Sequence, residues 1–140
     1  MFAIDPDVLR VIRQWVLKAE NDLATAAHTL KLGEFTPTDT VCFHAQQVVE
    51  KYLKALLVNY NTDFPKTHDL RVLMELLPRR ARPDLTPEEQ VLLTRFATVT
   101  RYPGDYAPIT LAEARAAVRI ARRVRSQVRK KLPKETLRAS

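Results

Sequence analysis

The sequence predicts an all-α protein, an up-and-down antiparallel four-helix bundle with one extra short helix. Three observations predict it. Only two glycines occur in 140 residues. The apolar residues recur mostly at helical spacing rather than in strict alternation. Three threonine-led starts, at Thr36, Thr86 and Thr110, each precede a helical apolar pattern.

Each element can be justified in order. Asp5-Pro6-Asp7 opens the first helix with an N-cap, a proline at the first helical position and a carboxylate near the positive end of the helix dipole. Val8, Ile12, Trp15, Ala19, Leu23, Ala26 and Leu30 form its stripe, and Gly33 ends it as a C′ residue. Thr36-Pro37-Thr38-Asp39 opens a second helix in the same way, running to about Asn59. Asn61-Thr62-Asp63-Phe64-Pro65 breaks the chain. A short third helix spans about Asp69 to Leu77 and stops at Pro78. Thr86-Pro87-Glu88-Glu89 is a capping box that starts a fourth helix to about Thr100, where Pro103-Gly104 follows. Thr110-Leu111-Ala112-Glu113 is a second capping box. It starts a fifth helix carrying Leu111, Ala114, Val118, Ala121, Val124 and Val128, limited by Pro133. Brief connections make neighbouring helices antiparallel. Residues 1–132 are expected to form a single domain, and residues 133–140 a frayed basic tail.

The second helix is apolar on two sides. Val41, Ala45, Val48, Val49, Tyr52, Ala55 and Leu56 gather on one face. Phe43, Leu53 and Leu57 lie on the other, beside Gln46, Gln47, Glu50 and Lys54. A surface helix does not need the second patch. Either the helix is central in the bundle, or Phe43, Gln46, Gln47, Glu50, Leu53 and Leu57 form the interface of a homodimer, which is the preferred expectation because symmetric dimers are the commonest soluble assembly.

Composition narrows the function classes. The single cysteine, Cys42, excludes an internal disulfide and a cysteine-based zinc site. No apolar run approaches the ~20 residues that span a bilayer, and the first residues carry no signal-peptide pattern. A soluble cytoplasmic protein without membrane contact is expected. The net charge is +7, but the segment from Arg115 to Arg138 alone carries ten basic residues and one acid, Glu135, leaving the rest of the chain slightly negative. Such asymmetry suits a polyanion or an acidic partner, or equally a solvated helix face. Three scattered histidines make no recognisable metal site. Two glycines cannot supply a phosphate loop, so no cofactor is expected.

Several strings, in order, resemble the HEPN family of small helical domains often described as nucleotide-binding. Trp15, Ala19, Asp22, Leu23 and Ala26 match its opening helix. Gln46, Gln47, Glu50, Lys51, Lys54, Ala55 and Leu56 match its glutamine-rich helix. Lys66-Thr67-His68-Asp69-Leu70 is similar to the start of its third helix, and Arg101-Tyr102-Pro103 to its turn after the fourth. The resemblance covers nearly the whole chain. It implies a homodimeric helical bundle in one of two settings. Some members pair with a separately encoded nucleotidyltransferase, as in toxin–antitoxin modules. Others are metal-independent ribonucleases carrying Arg, four to six residues, then His.

The sequence departs from the nuclease pattern, because no histidine follows His68. Cleavage of RNA without a metal needs proton transfer near neutral pH, which suits histidine, and stabilisation of phosphate charge, which suits arginine. Arg101 can fill the second role. Asp105 and Tyr106 are weak substitutes for the first, since an ordinary tyrosine titrates near ~10. Arg101, Asp105 and Tyr106 are therefore the only catalytic candidates, with His68 as a group that folding could bring near; otherwise His68 steadies the start of the third helix. The nucleotide- or RNA-binding candidates are Arg101, Tyr102, Lys51, Lys54, His68, Arg115, Arg119 and Arg122. The expected function is a nucleotide/RNA-binding and partner-binding module acting with a nucleotidyltransferase-type protein, with a metal-independent endoribonuclease toxin as the alternative.

Overall fold

The first helix, α1 (Pro6–Thr29), begins where its sequence says it should. Oδ1 of Asp5 accepts a hydrogen bond from the Asp7 amide at 2.8 Å, and Pro6 takes the first helical position. The computed structural model describes residues 4–98, 104 and 107–138. Its other helices are α2 (Thr38–Asn59), α3 (Leu70–Leu76), α4 (Pro87–Thr98) and α5 (Leu111–Arg129), with 3-10 turns at Leu30–Phe35, Arg79–Ala81 and Lys134–Thr136. There is no strand among the described residues. The protein is an all-α bundle with one short extra helix, as expected.

Both capping boxes form. The Thr86 hydroxyl accepts from the Glu89 amide at 3.1 Å while Glu89 accepts from the Thr86 amide at 3.0 Å. Thr110 and Glu113 do the same at 3.0 and 3.2 Å. The start at Thr36 is different. Pro37 occupies the cap position of α2 and makes no side-chain cap bond, while Oδ1 of Asp39 accepts from the Thr40 amide at 2.8 Å. The Thr38 hydroxyl instead donates to the Ile109 carbonyl at 2.7 Å, tying the start of α2 to the segment before α5. Gly33 lies within the turn after α1 at φ +62° and ψ −129°, a conformation strained for any residue with a Cβ.

The core explains the two apolar sides of α2. This helix packs against α1, α5, α4 and α3. Leu53 and Leu57 are as fully buried as Val48, Tyr52 and Leu56. The second patch is therefore interior surface, covered within one chain. That corrects the expectation of a dimer seam for Gln46, Gln47, Glu50, Leu53 and Leu57, all of which are buried. Phe43 alone of that set is half-exposed, with its ring edge-on to His44 at 5.4 Å.

An ionic cluster locks α1, α2 and α5 together. Nε and Nη2 of Arg125 donate to the two oxygens of Glu20 at 2.7 and 2.8 Å, a bidentate fork. The Tyr52 hydroxyl donates to Glu20 at 2.6 Å and accepts from Arg129 at 3.1 Å. Burial opposes ionisation of Glu20, but the bonds from Arg125 and Tyr52 outweigh it and hold the carboxyl below its ordinary value. Burial, and then the bond to Glu20, pushes the Tyr52 hydroxyl up to about 12.

The residues after Pro133 are not frayed as far as the structure describes them. Lys134–Thr136 forms a 3-10 turn against α1, and Thr136 is buried. Arg13 donates to the Glu135 carbonyl at 2.8 Å, and Arg129 to the Leu137 carbonyl at 3.3 Å. A basic, proline-led sequence reads as a tail, but these two arginines satisfy its carbonyls and dock it.

Candidate functional site

The polar residues of α2 converge on one carboxylate. Glu50 is 3% exposed. Its Oε1 accepts from Nδ1 of His68 at 2.7 Å, from Gln46 at 3.1 Å and from Gln47 at 3.3 Å. Its Oε2 accepts from Lys54 at 3.0 Å. Gln46 also donates to the His68 carbonyl at 3.1 Å and accepts from Gln47 at 2.7 Å. Helical spacing puts Gln46, Glu50 and Lys54 in one row, one turn apart. The segment before α3 then brings His68 onto the middle of that row. Burial would raise the pKa of Glu50, but bonds from His68, Gln46 and Lys54 overcome it and hold the carboxyl below its usual range.

Aromatic rings close the cluster on one side. Nζ of Lys54 lies 5.4 Å from the Trp15 ring centre and 5.8 Å from that of Phe64. The two rings meet edge to face at 6.2 Å. The ammonium is thus buried against one carboxylate and two π faces, an arrangement that offsets its lost hydration. His68 differs from the rest, since its side chain is 48% exposed while its Nδ1 is anchored. Such an anchored imidazole has a set ring orientation and remains open to solvent and solutes. The segment carrying it is tied to α4, where the Leu70 amide donates to the Thr94 hydroxyl at 3.2 Å, one turn before the last residue of that helix.

A second cluster joins α1 to α2. Asp22 is buried and accepts from Nδ1 of His44 at 2.7 Å and from Lys51 at 2.5 Å. Neither lysine expected to meet a nucleotide is a free cation, as Lys51 is held by Asp22 and Lys54 by Glu50. A nucleotide or RNA phosphate at either lysine would have to compete with these carboxylates. Sequence reasoning assigned no site role to Asp22, Phe64 or Glu20, although Asp22 was among the residues matched to the family's opening helix. The one legible signal was Asp22, a carboxylate at the register of the apolar stripe beside Ala19, Leu23 and Ala26, where a lone charge calls for a partner.

The basic α5 divides into two sets. Arg123 pairs with Glu89 at 2.6 Å and Arg125 with Glu20, while Arg129 binds Tyr52. Arg115, Arg119 and Arg122 form an exposed row at spacings of four and three. None of the three has a carboxylate within ion-pair distance among the described residues. The expected nucleotide or RNA contacts at Arg115, Arg119 and Arg122 therefore fall on exposed surface with no carboxylate partner among the described residues.

The loop candidates Arg101, Tyr102, Asp105 and Tyr106 lie outside the described residues. Among the described residues no group of three His, Cys, Asp or Glu side chains could hold a metal ion. No described helix is long and apolar enough to cross a membrane.

Comparisons with known proteins agree with this architecture. The family model described as HEPN domain matches residues 12–131. A crystal structure, that of TT1696 from Thermus thermophilus, is 28% identical and superposes with a TM-score of 0.71, covering 86% of this chain and 98% of the other. No curated protein sequence is similar enough to count as a match.

Proposed function

Given that the chain belongs to the HEPN domain family, we propose that it is a nucleotide- or RNA-binding and partner-binding module acting with a nucleotidyltransferase-type protein in a toxin–antitoxin-like pair. The observation that carries the reading is the row Arg115, Arg119 and Arg122, exposed on α5 with no carboxylate beside it among the described residues. Cations on a rigid helix at this spacing follow a phosphate backbone without needing base contacts. The partner and the toxin–antitoxin setting rest on the family resemblance. A homodimer belongs to the same reading, and Val91 and Leu92, exposed on α4, are the apolar surface we assign to it. Light scattering of wild type and Val91→Glu checks that part. A monomer in both removes the dimer from the reading.

The experiment is RNA binding by fluorescence anisotropy at rising salt. Wild type should bind, with affinity falling steeply as salt increases. Arg119→Glu should weaken binding about tenfold or more, because it loses one phosphate contact and sets a repelling charge among the others. Affinity that ignores both salt and the substitution rules the reading out.

A second reading, a metal-independent ribonuclease, draws on a different observation. His68 is anchored on buried Glu50, half-exposed, and tied to the last turns of α4, the helix that leads toward Arg101. An oriented imidazole is the proton-transfer group that the loop sequence lacks. Incubation with mixed RNA in EDTA, beside Arg101→Ala and His68→Ala, decides it. Cleavage lost in both variants supports an enzyme, and no cleavage by wild type excludes one.

A further inference from the structure

Arg10, Arg13 and Leu17 follow one another on α1 at spacings of three and four, so they share one face of that helix. Arg129, in the last turn of α5, and Leu137 and Arg138, after the C-terminal turn, meet that face around a cavity of about 300 Å³. The volume is at the lower end of the range for small-molecule sites.

Most charges in its wall are already matched. Arg10 lies 3.7 Å from Asp7, and Glu20 receives the bidentate fork from Arg125. Arg129 donates to the Tyr52 hydroxyl and to the Leu137 carbonyl. Two guanidinium groups keep free capacity. Arg13 makes one bond, to the Glu135 carbonyl, which leaves it further N–H donors. Arg138 has no carboxylate within ion-pair distance among the described residues.

The rest of the wall is mainly aliphatic. Leu17 is 50% exposed, and Val16, Leu137 and the alkyl stems of the arginines border the same space. No aromatic ring lines the cavity among the described residues, so nothing there stacks on a planar ligand. The Thr136 hydroxyl is turned to the Pro133 carbonyl at 2.6 Å, leaving the Gln14 amide as the neutral polar side chain in the wall. Such a lining is poor at reading a ligand rich in hydroxyls or amides. It suits a hydrocarbon chain, which removes the leucine surface from water. It also suits one planar anionic head, because a carboxylate matches the guanidinium fork.

We propose that this cavity binds a medium-chain aliphatic carboxylate, with its head at Arg13 and Arg138 and its chain against Val16, Leu17 and Leu137. The site goes beyond the RNA-binding reading above and does not depend on it. Arg115 and Arg129 are 14 residues apart, about 21 Å along the helix, so the arginine row and the cavity occupy opposite ends of α5. Leu137 and Arg138 follow the C-terminal turn, so an occupied cavity ties that end of the chain to α1.

The test is calorimetric titration of the full chain with sodium octanoate, beside acetate and octanol. Wild type should bind octanoate saturably and one-to-one. Acetate keeps the head without the chain and should bind at least about a hundredfold more weakly. Octanol keeps the chain without the charge and should bind at least about tenfold more weakly. Leu17→Glu and Arg138→Glu change exposed residues, so both should keep the wild-type melting temperature. The first sets a carboxylate four residues from Arg13, where it competes for that guanidinium; the second replaces a cation with a repelling charge. Each should weaken octanoate at least about tenfold. Octanoate should also raise the melting temperature of wild type more than that of either variant. Arg119→Glu should leave octanoate binding unchanged, whatever happens to RNA affinity. Octanoate binding that survives both cavity substitutions, acetate or octanol binding as tightly as octanoate, or no saturation at all would each overturn the proposal.

Discussion

Nδ1 of His68 lies 2.7 Å from Oε1 of Glu50, joining the segment before α3 to the middle of α2. The same carboxylate receives Gln46, Gln47 and Lys54, so it is the hub of this polar row of α2. Removing it leaves a buried ammonium at Lys54 without its counter-charge. Glu50→Ala should therefore cost about 3–5 kcal/mol, the range for breaking one side of a buried pair. Arg71→Ala, which loses only a 3.7 Å surface contact with Asp69, should cost under ~1 kcal/mol. Urea denaturation of the two variants measures the difference. Equal effects would mean that the Glu50 cluster is solvated rather than buried.

The depressed pKa of Glu50 makes stability depend on pH in one direction. Its folded value lies below the ordinary 4.5, so the folded state holds the proton less tightly than the unfolded chain. The contribution is complete above about 4.5 and is lost as pH falls through the folded value. Glu20 acts with the same sign. Melting temperatures of wild type should fall on acidification below pH ~4.5, and Glu50→Gln should show a shallower fall from a lower starting point. Parallel curves for the two proteins would contradict the assignment to Glu50.

Cys42 is fully buried, and burial pushes its thiol up to about 12. The thiolate is the reactive form, so a thiol reagent at pH 8 should label the folded protein only as fast as it unfolds. In denaturant the chain should react at once. Fast labelling under native conditions would place Cys42 on accessible surface.

Thr110→Ala removes the hydroxyl that caps the Glu113 amide. The expected cost is about 1 kcal/mol. The reciprocal bond from the Thr110 amide to Glu113 keeps its donor, so Thr110→Ser should recover most of the loss. Thermal denaturation of the pair reads it directly, and an Ala variant as stable as wild type would show that the box adds nothing.

Much of the fold was legible because helix ends are decided locally. Asp5-Pro6, Thr86 with Glu89, and Thr110 with Glu113 each satisfy amides within three residues, so the sequence contains both partners of every bond. Thr36 misled for the complementary reason. Its pattern is the same, but the Thr38 hydroxyl found the distant Ile109 carbonyl, a partner no local spacing encodes. The second apolar side of α2 was also visible, but whether another helix or another chain covered it was not. Burial of Leu53 and Leu57 within one chain answers that.

The sequence by itself determined the helix count and type, the polar row Gln46, Glu50 and Lys54 on α2, and the concentration of charge in α5. Those follow from periodicity, capping and composition, all properties of neighbouring residues. Only the tertiary structure decided which charges are spent. It set His68 on Glu50, His44 and Lys51 on Asp22, and Arg125 on Glu20, left Arg115, Arg119 and Arg122 without a carboxylate partner among the described residues, and folded the basic end back onto α1. The physical reason is that a charge's role depends on what lies within a few ångströms of it, and for these residues that neighbour is 18 to 105 positions away in the chain.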